Sequence, residues 1–194
     1  MGSATFESVI FDMDGTLVEP LLDFGAIRAE LGIAPGNGIL EAVERMPSEE
    51  RQRAERRLLD YELNAARQAT PVDGAVATVG ALQAAGLKTA LLTRNHGQAM
   101  DIVLKRLGVR FDLAWSRQDG PIKPEPDGIL RACHRLGVAV NRTVCVGDFR
   151  YDVLAANAAG AVSVLLVRGQ RPDFADLADY VIARLDELVQ LMTP

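Results

Sequence analysis

Residues 9–16, Val9-Ile10-Phe11-Asp12-Met13-Asp14-Gly15-Thr16, carry an apolar run into two carboxylates and then a glycine turn. A strand that ends this way delivers side chains to the carboxyl edge of a sheet, where open α/β folds bind ligands. Residues i and i+2 share one face of an extended strand, so Asp12 and Asp14 are expected to converge on one centre. Two carboxylates that close repel each other unless a cation or a shared proton intervenes. An ordinary strand followed by an Asp-Gly turn accounts for the same residues.

Working outward, short apolar runs alternate with helical patterns beyond residue 70. Residues 87–92, 143–146 and 162–167 read as strands, with shorter extended pieces at 112–115 and 181–182. Residues 98–107, 126–136 and 151–159 read as helices followed by Gly108, Gly137 and Gly160, and 186–192 as a last helix. This alternation predicts an α/β fold, a Rossmann-like parallel sheet with helices on both faces and right-handed crossovers.

Residues 18–71 break the rhythm. Residues 23–31 and 39–46 have helical spacing, separated by the turn cluster Pro35-Gly36-Asn37-Gly38. A long charged helix is expected over 49–68, with Ser48 as its N-cap and acidic residues in its first turn. The chain is therefore expected to divide into a core, residues 1–17 and 72–194, and an all-helical insert, residues 18–71. Lying directly after the first strand, the insert is placed to close over the carboxyl edge as a lid; a helical excursion that merely packs is the alternative. Arg51, Arg53, Arg56 and Arg57 alternate with Glu49, Glu50 and Glu55, which suits a solvated helix face rather than a nucleic-acid patch.

At 194 residues and 48% hydrophobic content, the chain can bury a core without disulfides or a structural metal. The net charge of −5 argues against a nucleic-acid partner, and an anionic substrate would need a local positive centre. Cys133 and Cys145 lie in apolar patterns with no CxxC or Cys/His cluster, as expected of buried thiols. Charged residues interrupt every apolar run before a membrane span is reached. No secretory leader is apparent, and the myristoylation pattern fails at Phe6. A cytoplasmic protein without a membrane partner is expected; nothing in the sequence speaks to oligomeric state.

Three further features fall at the ends of the right elements. Thr93-Arg94-Asn95 follows Leu91-Leu92 and offers a hydroxyl and successive backbone N–H groups, which suit a phosphate oxygen; routine N-capping by Thr93 or Asn95 is the alternative. Lys123, one of three lysines against eighteen arginines, lies between Ile122 and Pro124. A compact point charge there differs from a planar fork, although an exposed loop lysine reads the same way. Val146-Gly147-Asp148 ends a strand in a carboxylate, and Asp152 follows at i+4 on the same helix face. An N-cap with a first-turn carboxylate would also explain that pair.

Taken together, DMDGT, LLTRN, IKPEP and VGDFRYD occur in the order of four motifs, and the chain resembles a haloacid dehalogenase (HAD) superfamily hydrolase of subfamily IA, phosphoglycolate phosphatase-like. The helical insert resembles the small C1-type cap of that family. The resemblance implies a Mg²⁺-dependent phosphatase acting on a small-molecule phosphate monoester through an aspartyl-phosphate. It assigns Asp12 as nucleophile and the Asp14 side chain as acid and base. It implies metal binding by Asp12, the Asp14 carbonyl and Asp148, with Asp152 second shell or water-mediated and holding Lys123. Thr93, Arg94, Asn95 and Lys123 would bind the phosphoryl oxygens. Arg28, on the helix just beyond the nucleophile loop, is the candidate cap contact to substrate; a surface arginine is the alternative.

Other activities of the superfamily fit less well. Asp14 argues against dehalogenation, which has no leaving alcohol to protonate, and no lysine precedes Lys88 to form a cap Schiff base. A phosphomutase of the β-phosphoglucomutase type shares all four motifs, and a catalytically silent phosphate- or metal-binding relative is the non-enzyme alternative. The insert's shortness suggests an open mouth that admits a bulkier ester.

Overall fold

The protein was analysed as a computed structural model, which describes residues 6–192. Six strands, β1 (Ser8–Phe11), β2 (Lys88–Leu92), β3 (Leu113–Trp115), β4 (Thr143–Gly147), β5 (Val162–Leu166) and β6 (Tyr180–Ile182), form one parallel sheet. Their order is β3-β2-β1-β4-β5-β6. The chain builds outward from β1 to β3, then crosses back to lay β4 on the other side of β1. The boundary between β1 and β4 is therefore the topological switch point, where such sheets open a crevice. Phe11 lies level with Leu91 and Val146, so three central strands end together there.

Alternation along β1 fills both faces, as expected for a covered parallel strand. Val9 and Phe11 join one apolar cluster with α4 (Ala75–Ala84), α5 (Gly97–Leu107) and α8 (Glu187–Met192). Ile10 joins another with α6 (Asp127–Leu136) and α7 (Arg150–Ala159). Cys133 and Cys145 are buried free thiols in that second cluster. Helix α4 has no counterpart among the elements expected from the sequence. Its sequence, AVATVGALQA, is apolar nearly all round and holds two valines, a threonine and a glycine, so neither an amphipathic period nor propensity marks it.

The insert consists of α1 (Phe24–Glu30), α2 (Ile39–Glu44) and α3 (Ser48–Gln68). Asp23 caps α1, its carboxylate accepting from Ala26 N at 2.9 Å. Ile27, Ile33, Ile39, Val43, Ala54 and Leu58 form an apolar cluster of the insert's own. Further along α3, Ala66 belongs to the main core instead. The insert's two ends meet in a narrow neck, with Glu19 N donating to Thr70 O at 2.9 Å and Val72 N to Leu17 O at 3.0 Å. Ser48 is not the N-cap of α3. Pro47, with its ring-fixed φ of −55°, takes that position, and its carbonyl accepts from Arg51 N at 2.8 Å. Among the described residues no helix is long and apolar enough to cross a membrane.

Candidate active site

Two glycines make room at the switch point. Gly15 has φ +78°, and a Cβ there would lie 2.0 Å from Asp148 Oδ2. A Cβ on Gly147 would lie 2.2 Å from Asp152 Cγ. Any side chain at either position would displace a carboxylate. The Asp12 N–H continues the ladder to Val146 O at 2.9 Å, but β1 itself ends at Phe11. Asp12 and Asp14 thus lie just beyond the end of the strand, and both still face one group of charges: Lys123 lowers each of them, and Asp148 is raised in part by Asp14. Asp14 Oδ2 accepts from Asn95 Nδ2 at 2.7 Å.

Asp12, Asp148 and Asp152 present carboxylate oxygens within 4.8 Å of one another. Lys123 enters this group from the loop before α6, donating from Nζ to Asp12 Oδ1 at 2.5 Å and Asp152 Oδ1 at 2.6 Å. Its side chain is only 9% exposed, so these charges interact with little screening by water. Asp152 uses its other oxygen to accept from Phe149 N at 3.1 Å. Phe149 is the N-cap residue of α7, so neither Asp148 nor Asp152 takes that position. Both Asp152 oxygens are thus committed, whereas among the described residues no ion pair reaches Asp148.

Burial sets the protonation of this group. Desolvation raises Asp12 well above the ordinary carboxylate range, opposed by Lys123. Asp148 is pushed up to about 7 by burial and by Asp152, and Asp14 to about 6 by burial and by Glu62, against the Asn95 hydrogen bond. Lys123 is held above its usual value by Asp12 and Asp152 despite the opposing effect of burial.

The loop after β2 lies beside this cluster. Asn95 N donates to Thr93 Oγ1 at 3.1 Å, and both side chains are buried. The N-cap of α5 is His96, whose Nδ1 accepts from Gln98 N, so Thr93 and Asn95 are free of that duty. Arg94 donates to the Lys123 carbonyl and, at 2.7 Å, to Glu41 of α2, and its guanidinium stacks 4.7 Å from the Tyr151 ring. One arginine thereby ties the Lys123 loop, α7 and the insert together.

Residues 6–160 match the haloacid dehalogenase-like hydrolase family. The chain belongs to that family. A haloacid dehalogenase-like hydrolase domain-containing protein of Arabidopsis thaliana is 33% identical, covering 86% of this chain and 78% of the relative. The phosphoglycolate phosphatase of Escherichia coli is 32% identical over 83% of this chain and 81% of its own. A hydrolase from Pseudomonas syringae superposes with a TM-score of 0.81 at 23% identity, covering 95% of this chain and 96% of that one.

In this haloacid dehalogenase-like hydrolase the insert contributes two site neighbours that the sequence reading passed over. Glu62 of α3 is 3% exposed, and burial raises its carboxyl against the pull of Arg117. It sits in the buried stripe Ala54, Leu58, Glu62, Ala66, a carboxylate at four-residue spacing among apolar residues. That interruption was the available signal. Glu41 is the other, and nothing in its surroundings in sequence sets it apart. Arg168, from beyond β5, holds the Gly15 carbonyl at 3.3 Å and Glu19 at 2.7 Å. Arg28 is held within the insert, its guanidinium donating to the carbonyls of Asn37 at 2.9 Å and Phe24 at 3.0 Å.

Proposed function

We propose that this hydrolase cleaves a small-molecule phosphate monoester through an aspartyl-phosphate on Asp12. The observation that carries the reading is the buried Asp12–Lys123–Asp152 chain at the switch point, with Asp148 alongside. Asp12 attacks phosphorus in line, and the bond to the ester oxygen breaks as the new P–O bond forms. Asp14 gives its proton to the departing alcohol oxygen, then takes a proton from the water that opens the aspartyl-phosphate, regenerating Asp12 and releasing phosphate. A carboxyl near 6 can fill both roles. Asn95 orients Asp14, while Lys123, Thr93 and the 94–95 peptides face the charge on the phosphoryl oxygens.

A cation fits the donor set. Three crowded carboxylates of the hard oxygen type suit Mg²⁺, and Asp148, raised to about 7 without an ion-pair partner, is the group a cation would relieve. Asp12 and Asp148 would hold it with the Asp14 carbonyl, while Asp152, committed to Lys123 and Phe149, stands behind them. When bound, Mg²⁺ supplies positive charge that offsets repulsion between Asp12 and the phosphate dianion.

In this reading residues 18–71 form the cap. A cleft of about 760 Å³ lies between α2, α3 and the 117–122 loop, lined by Leu40, Arg56, Leu59, Arg117, Pro121 and Ile122 among others. Its lining includes none of Asp12, Asp14, Thr93, Lys123 or Asp148, so a leaving group larger than the two-carbon acid named for the Escherichia coli relative rests on the shortness of the insert. The test is a panel of alkyl, sugar and aryl phosphates with phosphoglycolate, with and without Mg²⁺. Mg²⁺-dependent phosphate release is expected. No release from any ester sinks the activity, and strict preference for phosphoglycolate sinks the open-mouth reading.

A further inference from the structure

The 93–96 loop is held from outside the catalytic cluster. Thr93 N donates to Trp115 O at 3.0 Å, and Arg117 N to Asn95 O at 3.1 Å. The Arg117 guanidinium donates to Arg94 O at 3.1 Å and to Glu62 Oε1 at 2.6 Å. Glu62, reaching in from α3 of the insert, accepts from His96 N at 3.1 Å on its other oxygen. Four consecutive residues of the loop are thus each fixed by the 115–117 segment or by Glu62.

Stability alone does not account for this pair. A buried ion pair recovers little more than the cost of desolvating it, and apolar replacements of similar volume are often neutral or stabilising. What an apolar pair cannot supply is an acceptor for His96 N together with a donor for Arg94 O. Glu62 and Arg117 supply both while neutralising each other, and the two contacted peptides flank Asn95, which orients Asp14.

We propose that Glu62 and Arg117 are positioning residues that carry the seating of α3 into the phosphate loop, so that the loop takes its phosphate-binding form only with the insert in place. This rests on the loop being the phosphate site of the proposed phosphatase. Neither residue touches the reacting atoms; both act through the 94–96 backbone, and the Glu62 charge also bears on Asp14.

The double variant Glu62→Arg/Arg117→Glu separates positioning from mere support. It keeps a buried pair of opposite charges but turns the acceptor at His96 N into a donor and the donor at Arg94 O into an acceptor. Full-length variants are assayed with an aryl phosphate, with inorganic phosphate as competitive inhibitor, alongside melting temperature. Expected is a folded protein whose KM and phosphate inhibition constant rise about tenfold, the equivalent of about 1.4 kcal/mol, with kcat falling less. Recovery of wild-type KM and phosphate inhibition in the swap overturns the proposal. If the swap does not fold, Glu62→Gln and Arg117→Lys decide, since the first keeps the shape without the charge and the second the charge without the planar fork. A rise in KM and in the phosphate inhibition constant without loss of melting temperature supports positioning, and unchanged values overturn it. Should the wild type cleave no ester, the phosphatase reading fails separately; the melting shift caused by inorganic phosphate, with Mg²⁺ present, then reads the loop directly. A shift retained in full by the variants, or absent from the wild type, overturns the proposal.

Discussion

The outer face of α3 and the carboxyl edge of the sheet both carry close ion pairs, yet only one of them can do chemistry. On α3, Arg57 approaches Glu30 at 2.5 Å and Arg51 approaches Glu55 at 2.8 Å, with side chains between 35% and 52% exposed. At the edge Lys123 approaches Asp12 at the same 2.5 Å, with exposures of 9% and 14%. Distance does not distinguish the two regions; access of water does. Screened charges are free to rearrange and contribute little, whereas desolvated ones perturb each other's protonation and create a strong local field. The edge also draws its charges from segments far apart in sequence, so the fold has to be intact before the field exists.

The contrast breaks most sharply at Asp12. Asp12→Asn keeps the shape and leaves Lys123 paired with Asp152, so the melting temperature should change little while turnover falls by about 10⁴-fold or more. Aryl phosphate hydrolysis and thermal unfolding on the same preparation check this. Retained turnover would remove Asp12 as nucleophile.

Asp14→Asn should cost less, about 10²- to 10⁴-fold. The loss should also depend on the ester. An aryl leaving group departs without a proton, so the penalty should be larger for an alkyl than for an aryl phosphate. Equal penalties would mean that Asp14 does not protonate the leaving oxygen.

How much of this was legible in the sequence depends on the signal each residue left. The strands around the switch point are apolar runs ending in polar or glycine turns, and they sit where that pattern places them. Three of the four motifs were legible because each places polar residues directly at the end of such a run; Lys123, in the loop before α6, gained meaning only from their company. The end of β1 at Phe11, before either carboxylate, was not legible, because period-two reasoning says nothing about where a strand stops. Glu62 was hidden by the charge run around it: a helix read as a solvated face concealed one carboxylate turned inward. Arg28 illustrates the converse, an arginine near the nucleophile in sequence that is committed to carbonyls of its own insert.

A third way to sharpen the contrast uses pH in the absence of metal. Asp148 is raised from 3.8 to about 7 in the folded protein. Between those values the folded state holds a proton that the unfolded chain has released, so stability falls as pH rises through this window. The metal-free melting temperature should therefore be higher at pH 5 than at pH 8. Mg²⁺ should raise it at pH 8 and flatten the slope, since a ligand that binds only the folded state stabilises it by about 2.7 kcal/mol at a hundred times its dissociation constant. Asp148→Asn should flatten the slope without metal and abolish the Mg²⁺ shift. A slope that survives in this variant would place the responsible proton elsewhere, on Asp12 or Asp14.

The smallest effect belongs to α3. Arg57→Ala removes the contact with Glu30, but Tyr61 still donates to that carboxylate and water reaches both partners. Turnover should be unchanged, and the fall in melting temperature should be smaller than that of any edge variant that loses a buried partner. Salt provides the discriminating measurement. Raising ionic strength from about 0.1 M to about 1 M shortens the screening length from about 10 Å to about 3 Å, so any difference between Arg57→Ala and wild type should close. The cost of Lys123→Met should persist, because it leaves Asp12 and Asp152 buried side by side without their shared cation. If salt erased both differences equally, burial would not be what separates the two regions.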